Sequence, residues 1–206
     1  MNEYPETLGV ILAGGLARRM GGGDKGLRVI DGRSILERVA EQLRPQCVGL
    51  ILNANGDPGR FAALGLPVVA DSLPDFPGPL AGVLAGMDWV AERRPGTAWI
   101  ATIAGDTPFV PRDFVGRLHA ARAAADAKLA SASSGRRTHP VNGLWSLTLR
   151  EELRDSLARG ERKVGRWTAE HGAVLAEWSD DPDPFFNINA PEDLEEARRL
   201  AAARDQ

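Results

Sequence analysis

Apolar positions in this chain fall into short continuous runs and helically spaced stripes that alternate along its length. Leu8 to Ala13 is one such run, with β-branched Val10 and Ile11, the pattern of a strand buried on both faces of a parallel sheet. Leu27 to Ile30 is a short extended piece closed by an Asp31-Gly32 turn. Ser34 with Glu37 three residues on forms a capping box, and Ile35, Leu36, Val39, Ala40 and Leu43 recur at helical spacing until Pro45. Val48 to Leu52 predicts a second strand, Phe61 to Leu64 a short helix and Pro67 to Ala70 a third strand. A helix from about Leu80 to Arg93, a strand from Trp99 to Ala104 and a helix from Pro111 to about Ala124 follow.

The second half is less regular. Leu129 to Ala132 reads as a strand, Ser133 to Arg137 as a polar loop, and Leu144 to Leu147 as extended chain after His139-Pro140-Val141-Asn142-Gly143. Leu149 to Leu157 and Val164 to His171 read as helices, and Val174 to Trp178 as a strand. Phe185 to Ile188 is expected to be a last short strand, with Asn189 capping a terminal helix that has Glu192 at its third position. This alternation predicts an α/β fold with a mostly parallel central sheet flanked by helices. It is read as a single domain, 1–206, with a nucleotide-binding half at about 8–110 and a substrate-side half at about 111–206.

Polar residues collect where the strands end. A stretch with Gly14, Gly15, Gly21, Gly22 and Gly23 plus Arg18, Arg19 and Lys25 follows the first strand; Asn53, Asp71 and Asp106 follow the next three. Ligands of open parallel sheets bind outside the carboxyl ends of the strands, so these places are expected to line one crevice. Glycines let backbone approach a ligand closely, and backbone N–H groups, Arg and Lys attract anions. The basic glycine stretch therefore predicts a phosphate site.

Composition narrows the classes. Net charge is −3, with 43% hydrophobic and 26% charged residues, which gives no basic footprint for nucleic acid. No apolar run is long enough to span a membrane, and Met1 to Glu6 lacks a signal core, so a cytoplasmic protein is expected. The single cysteine, Cys47, excludes an internal disulfide and is read as a packed small thiol. His119 and His171 read as helix-surface residues, and His139 as structural or peripheral to substrate. The five tryptophans read as core or partial core.

Two phosphate motifs fail. Lys25 is followed by Gly26 rather than Ser or Thr, which removes the P-loop. Gly21-x-Gly23-x-x-Gly26 fits a dinucleotide fingerprint in spelling, but it leads into extended chain rather than a helix.

Leu12-Ala13-Gly14-Gly15, Ala17-Arg18-Arg19-Met20-Gly21-Gly22 and Asp24-Lys25-Gly26 closely resemble the signature of MobA-type molybdenum cofactor guanylyltransferases. The likeness continues through Asn53-Ala54-Asn55, Asp71-Ser72, Pro77-Gly78-Pro79-Leu80-Ala81-Gly82, Asp106-Thr107-Pro108 and Asn187-Ile188-Asn189. It spans residues 8 to about 200 and implies a Rossmann-like, three-layer nucleotidyltransferase fold. The implied reaction transfers GMP from GTP to the phosphate of molybdopterin, or of molybdenum-bound molybdopterin, and releases pyrophosphate.

By this resemblance Asp106 holds Mg²⁺, with Mn²⁺ the other metal, and Asp106, Lys25 and Arg19 form the catalytic set. Leu12, Ala13, Gly14, Lys25, Asn53, Asp71 and Asp106 would meet GTP. Gly15, Arg19, Gly22, Gly78, Gly82, Asn187 and Asn189 would face the pterin. Other cofactor-biosynthesis proteins and target-enzyme chaperones are the implied protein partners; no nucleic acid or membrane is. Many sugar nucleotidyltransferases, which look like relatives, put a second carboxylate on the metal, whereas Asn187-Ile188-Asn189 has none. The alternatives are a cytidylyltransferase or sugar-phosphate nucleotidyltransferase of the same fold, or a non-catalytic nucleotide- or cofactor-binding protein.

Overall fold

The computed structural model describes residues 4–14, 24–73, 78–179 and 181–204. Its strands are β1 (Thr7–Leu12), β2 (Val29–Ile30), β3 (Arg33–Ser34), β4 (Gly49–Asn53), β5 (Val68–Val69), β6 (Trp99–Ala104), β7 (Leu129–Ser134), β8 (Arg137–Ser146) and β9 (Val174–Trp178). Its α-helices are α1 (Ile35–Leu43), α2 (Pro79–Arg93), α3 (Phe114–Ala124), α4 (Arg150–Ala158), α5 (Val164–Glu170) and α6 (Pro191–Arg204). Among the described residues, seven strands form one sheet in the order β5-β4-β1-β6-β8-β7-β9. Strands β5, β4, β1 and β6 run parallel, and β9 runs parallel to β7; only β8 is antiparallel to its neighbours.

Helices cover both faces, as a mostly parallel sheet requires. Ile11 of β1 joins the core made with α1, α3 and α6, while Leu8, Val10 and Leu12 join the core made with α2, α4 and α5. The expected Rossmann-like three-layer α/β architecture is thus formed, with β1 an inner strand between β4 and β6. The α1 capping box is present: Ser34 Oγ accepts from the Glu37 N–H, and Glu37 Oε2 accepts from the Ser34 N–H at 2.6 Å. That exchange satisfies two otherwise orphaned donors and holds the Glu37 carboxyl below its ordinary pKa, chiefly through the Ser34 hydroxyl.

The second half departs from the sequence reading in three places. Ser133 to Arg137 is not a loop: β7 runs through Ser134, and a Gly135-Arg136 turn leads straight into β8. Gly135 and Arg136 have φ of 52° and 65°, the positive values a tight hairpin turn needs. Polar composition misled because Ser131, Ser133 and Ser134 are buried inside the sheet. Phe185 to Ile188 joins no strand; it is fixed instead by the Ile188 N–H bonding the Asp106 carbonyl at 3.1 Å. At the start of α6 it is Asp193, in the first turn, that reaches back, its Oδ2 accepting from the N–H groups of Asn189 and Ala190 at 2.7 and 2.8 Å. The Asn189 side chain accepts instead from Lys25 Nζ at 2.8 Å.

Histidine readings also divide. His119 is buried, not on the surface, and is 3% exposed. Thr7 Oγ1 donates to the Pro5 carbonyl at 2.8 Å, so it accepts from His119 Nε2–H at 2.7 Å. Desolvation pushes the His119 pKa down to about 4, helped by Arg122. His139 is structural: its Nε2 lies 2.8 Å from Ser134 Oγ, which donates to Asp183 Oδ1 at 2.7 Å. This bridge fastens the β7–β8 hairpin to the segment that leads to Asn187 and Asn189. Cys47 is a packed thiol, with desolvation raising its pKa to about 12. Trp145, Trp167 and Trp178 are core residues.

Candidate active site

The crevice is built where β4, β1 and β6 stop. Ladder-like bonds continue one step past the strands: the Ala13 N–H donates to the Asn53 carbonyl, and the Gly105 N–H to the Leu12 carbonyl, both at 2.9 Å. Leu12, Ala13 and Gly14 therefore sit between Asn53 on one side and Gly105-Asp106 on the other. Among the described residues, nothing lies within 4 Å of a side chain added at Gly14.

One side of the crevice is a network of amides around Asp71. Asn53 Nδ2 donates to Asp71 Oδ1 at 3.0 Å, and Asn55 Nδ2 donates to Asp71 Oδ2 at 2.7 Å. The Asp71 N–H returns a bond to Asn55 Oδ1 at 2.9 Å. Gly82, in the first turns of α2, is what lets Asn53 sit there. A Cβ at Gly82 would come within 2.2 Å of Asn53 Oδ1 and 2.8 Å of Leu12 Cδ2.

The other side is ionic. Lys25 Nζ lies 2.6 Å from Asp106 Oδ2 and 2.8 Å from Asn189 Oδ1, so two oxygens from distant segments converge on one ammonium. Both charged side chains are about four-fifths shielded, at 18% and 20% exposure, which strengthens the pair relative to a surface one. Thr107 Oγ1 donates to Asn187 Oδ1 at 2.8 Å, tying the Asp106 turn to the segment carrying Asn189. Among the described residues, no group of three His, Cys, Asp or Glu side chains could hold a metal ion.

Asp106, Lys25, Asn187 and Asn189 are thus brought together, as are Asn53 and Asp71 with the Leu12–Gly14 backbone. Gly78 precedes α2 at φ 141°, a conformation that favours glycine, and its absent Cβ would lie 3.9 Å from the Arg162 carbonyl. The backbone at Arg162 therefore lies beside Gly78 at the start of α2. Arg19, Gly15 and Gly22 lie outside the described residues, as does Arg18.

Three residues were missed. Asn142 is 2% exposed and its Oδ1 accepts from the Ala104 N–H at 2.9 Å, taking over the ladder where β8 leaves β6. Asn55 was quoted but given no work. Arg60 Nη1 donates to both carboxylate oxygens of Asp24 at 2.8 Å, and Nη2 to the Asn55 carbonyl at 2.6 Å. Asn142 had a usable signal, an amide at the start of an apolar run; Arg60 had none, because its partner is 36 residues away.

The MobA-like NTP transferase domain model matches residues 9–174. A protein of Nitrobacter hamburgensis named molybdenum cofactor guanylyltransferase is 60% identical over 202 residues, covering 97% of each chain. A Bradyrhizobium protein of the same name is 58% identical over 200 residues, covering 96% of this chain and 94% of its own. The crystal structure of molybdopterin-guanine dinucleotide biosynthesis protein A from Archaeoglobus fulgidus superposes with a TM-score of 0.76 at 21% identity, covering 96% of this chain and all of that one. The last likeness concerns the fold. No helix among the described residues is long and apolar enough to cross a membrane.

Proposed function

We infer the activity from one premise: the chain belongs to the MobA-like NTP transferase family. It is a molybdenum cofactor guanylyltransferase, moving GMP from GTP to the phosphate of molybdopterin and releasing pyrophosphate. The observation that carries the site assignment is the convergence of Asp106 Oδ2 and Asn189 Oδ1 on the Lys25 ammonium beside the open end of β1.

The reaction joins two anions. An oxygen of the pterin phosphate attacks the α-phosphorus, the bond to the β-phosphate breaks, and pyrophosphate carries the electron pair away. Positioning and charge neutralisation are the work left to the protein. Lys25 transfers its ammonium from Asp106 to the triphosphate, and the backbone from Leu12 to Gly14 frames the nucleoside. Asn53 and Asp71 present an amide and a carboxylate to the base or ribose. Gly78, beside the Arg162 backbone, opens the pterin side, and Asn187 holds the Asp106 turn.

Mg²⁺, or Mn²⁺, is the proposed metal. Convergent oxygens already holding one cation suit a hard ion, so the residues present fit it. Asp106 and Asn189 are the side chains that would hold it, and it would neutralise charge on the departing pyrophosphate.

Thermal stabilisation by GTP, CTP, ATP and UTP with Mg²⁺ tests the base, because a ligand of the folded state raises apparent stability. GTP is expected to stabilise most, and a preference for CTP, or for none, overturns the guanylyl reading. Pyrophosphate release with molybdopterin present is expected to fail in Asp106→Ala.

A further inference from the structure

We propose that Arg60 is a positioning residue that sets Lys25 against the triphosphate by clamping Asp24. This rests on the proposed use of Lys25 for phosphate. Arg60 lies in the 3₁₀ turn Pro58–Leu64, which follows β4 and faces the crevice from the side of Asn55. Its guanidinium makes four bonds to three residues. Nη1 reaches both oxygens of Asp24 at 2.8 Å, Nη2 the Asn55 carbonyl at 2.6 Å, and Nε the Asp57 carbonyl at 3.0 Å. The ring of Phe61, itself buried, lies beneath the guanidinium carbon at 4.9 Å.

The chain of contacts that this completes runs the width of the site. Asp71 is held by Asn55, the Asn55 carbonyl by Arg60, Arg60 by Asp24, and Asp24 is the covalent neighbour of Lys25, which meets Asp106. Asp24 is also where the basic glycine stretch gives way to the short 3₁₀ turn Lys25–Leu27. The Asp24 carboxylate is 15% exposed and has both oxygens on the one Nη1 nitrogen, a charge-assisted contact that holds it against the Pro58–Leu64 turn.

The two ends of this chain do not depend on Arg60 equally. Asp71 keeps its bonds to Asn53 and to the Asn55 side chain when Arg60 is removed. Asp24 loses the partner of both carboxylate oxygens, and the start of the Lys25 turn is released. Arg60 therefore serves phosphate binding and leaves nucleoside binding alone.

The test compares three probes, GTP, guanosine and inorganic tripolyphosphate, by calorimetric titration of the full chain carrying Arg60→Met. GTP and tripolyphosphate are expected to weaken by about tenfold, with guanosine unchanged within about twofold. Arg60→Lys is expected to recover only part of the loss, since one ammonium cannot hold Asp24, the Asn55 carbonyl and the Asp57 carbonyl together as three guanidinium nitrogens do. Asp24→Asn, which leaves Arg60 and the Phe61 stack in place, should reproduce the phosphate loss, and the double variant should be no worse than either alone. Tripolyphosphate affinity equal to wild type in both single variants overturns the proposal, as does a parallel fall in guanosine affinity or an additive double variant. Wild-type protein that binds neither GTP nor tripolyphosphate fails the nucleotidyltransferase reading itself, a result separate from these.

Discussion

Two aspartates stand at strand ends of the same crevice, and their partners divide them. Among the described residues, Asp71 is held by neutral donors, the amides of Asn53 and Asn55 at 3.0 and 2.7 Å. Asp106 faces an ammonium at 2.6 Å. Neutral donors orient a carboxylate without cancelling its charge, so Asp71 keeps acceptor capacity for N–H or O–H groups of a ligand. A cation partner cancels the charge until something displaces it, so Asp106 would suit the proposed exchange of one cation against another. On the proposed reading, the same residue type at equivalent places would serve recognition on one side and charge handling on the other.

Removing the carboxylate from the ionic side is the strongest way to test that division. Asp106→Asn keeps the shape and loses the charge; we expect pyrophosphate release to fall by about a thousandfold, with guanosine affinity unchanged. A loss of guanosine affinity in step with activity would break the comparison. Lys25→Met acts on the same pair from its other end. Turnover should fall by about a hundredfold, while Mn²⁺ binding to the nucleotide-free protein, followed by electron paramagnetic resonance, should tighten. An unchanged Mn²⁺ affinity would show that Lys25 and the metal do not compete for one place.

The neutral side is tested more gently. Gly82→Ala puts a methyl 2.2 Å from Asn53 Oδ1, where it must push Asn53 off Asp71 or lift α2 from β1. We expect guanosine affinity to fall by about tenfold and stability by about 2 kcal/mol. If only the pterin KM rises, Gly82 acts directly on that substrate and the Asn53 packing is incidental.

What the sequence revealed follows the same division. The crevice from β1 to β6 was legible because parallel strands buried on both faces write unbroken apolar runs, and the polar residue ending each run marks the site. Asn53, Asp71 and Asp106 were found that way. The β7–β8 hairpin was not, because Ser131, Ser133 and Ser134 are polar residues buried by sheet pairing and hydroxyl bonds, which reverses the usual meaning of composition. The Phe185–Ile188 segment looked like a strand because it is apolar, yet its burial comes from packing of Phe185 against Phe114, Trp178 and His139. Arg60 was invisible because an arginine in a Gly-Pro-rich turn spells solvent exposure. Its meaning lies in Asp24, which only the fold brings near.

The smallest effect on activity is expected at the far end of β1, where His119 bonds Thr7. The folded protein keeps this imidazole neutral, with a pKa of about 4, whereas an unfolded chain protonates it near the ordinary value of 6.5. Between those values the unfolded state binds more protons, so its share of stability is full above about pH 6.5 and is lost as pH falls toward 4. His119→Gln keeps a donor for Thr7 and removes the titration. Urea unfolding at pH 7.5 and pH 5 should show a shallower acid loss in the variant, by roughly 1 to 2 kcal/mol, with GTP and guanosine affinities unchanged at pH 7.5. Equal acid loss in the two proteins would place the proton uptake elsewhere. A change in GTP affinity at pH 7.5 would show that the two ends of β1 are coupled, and the site's chemistry would then no longer be confined to the residues at the carboxyl ends of the strands.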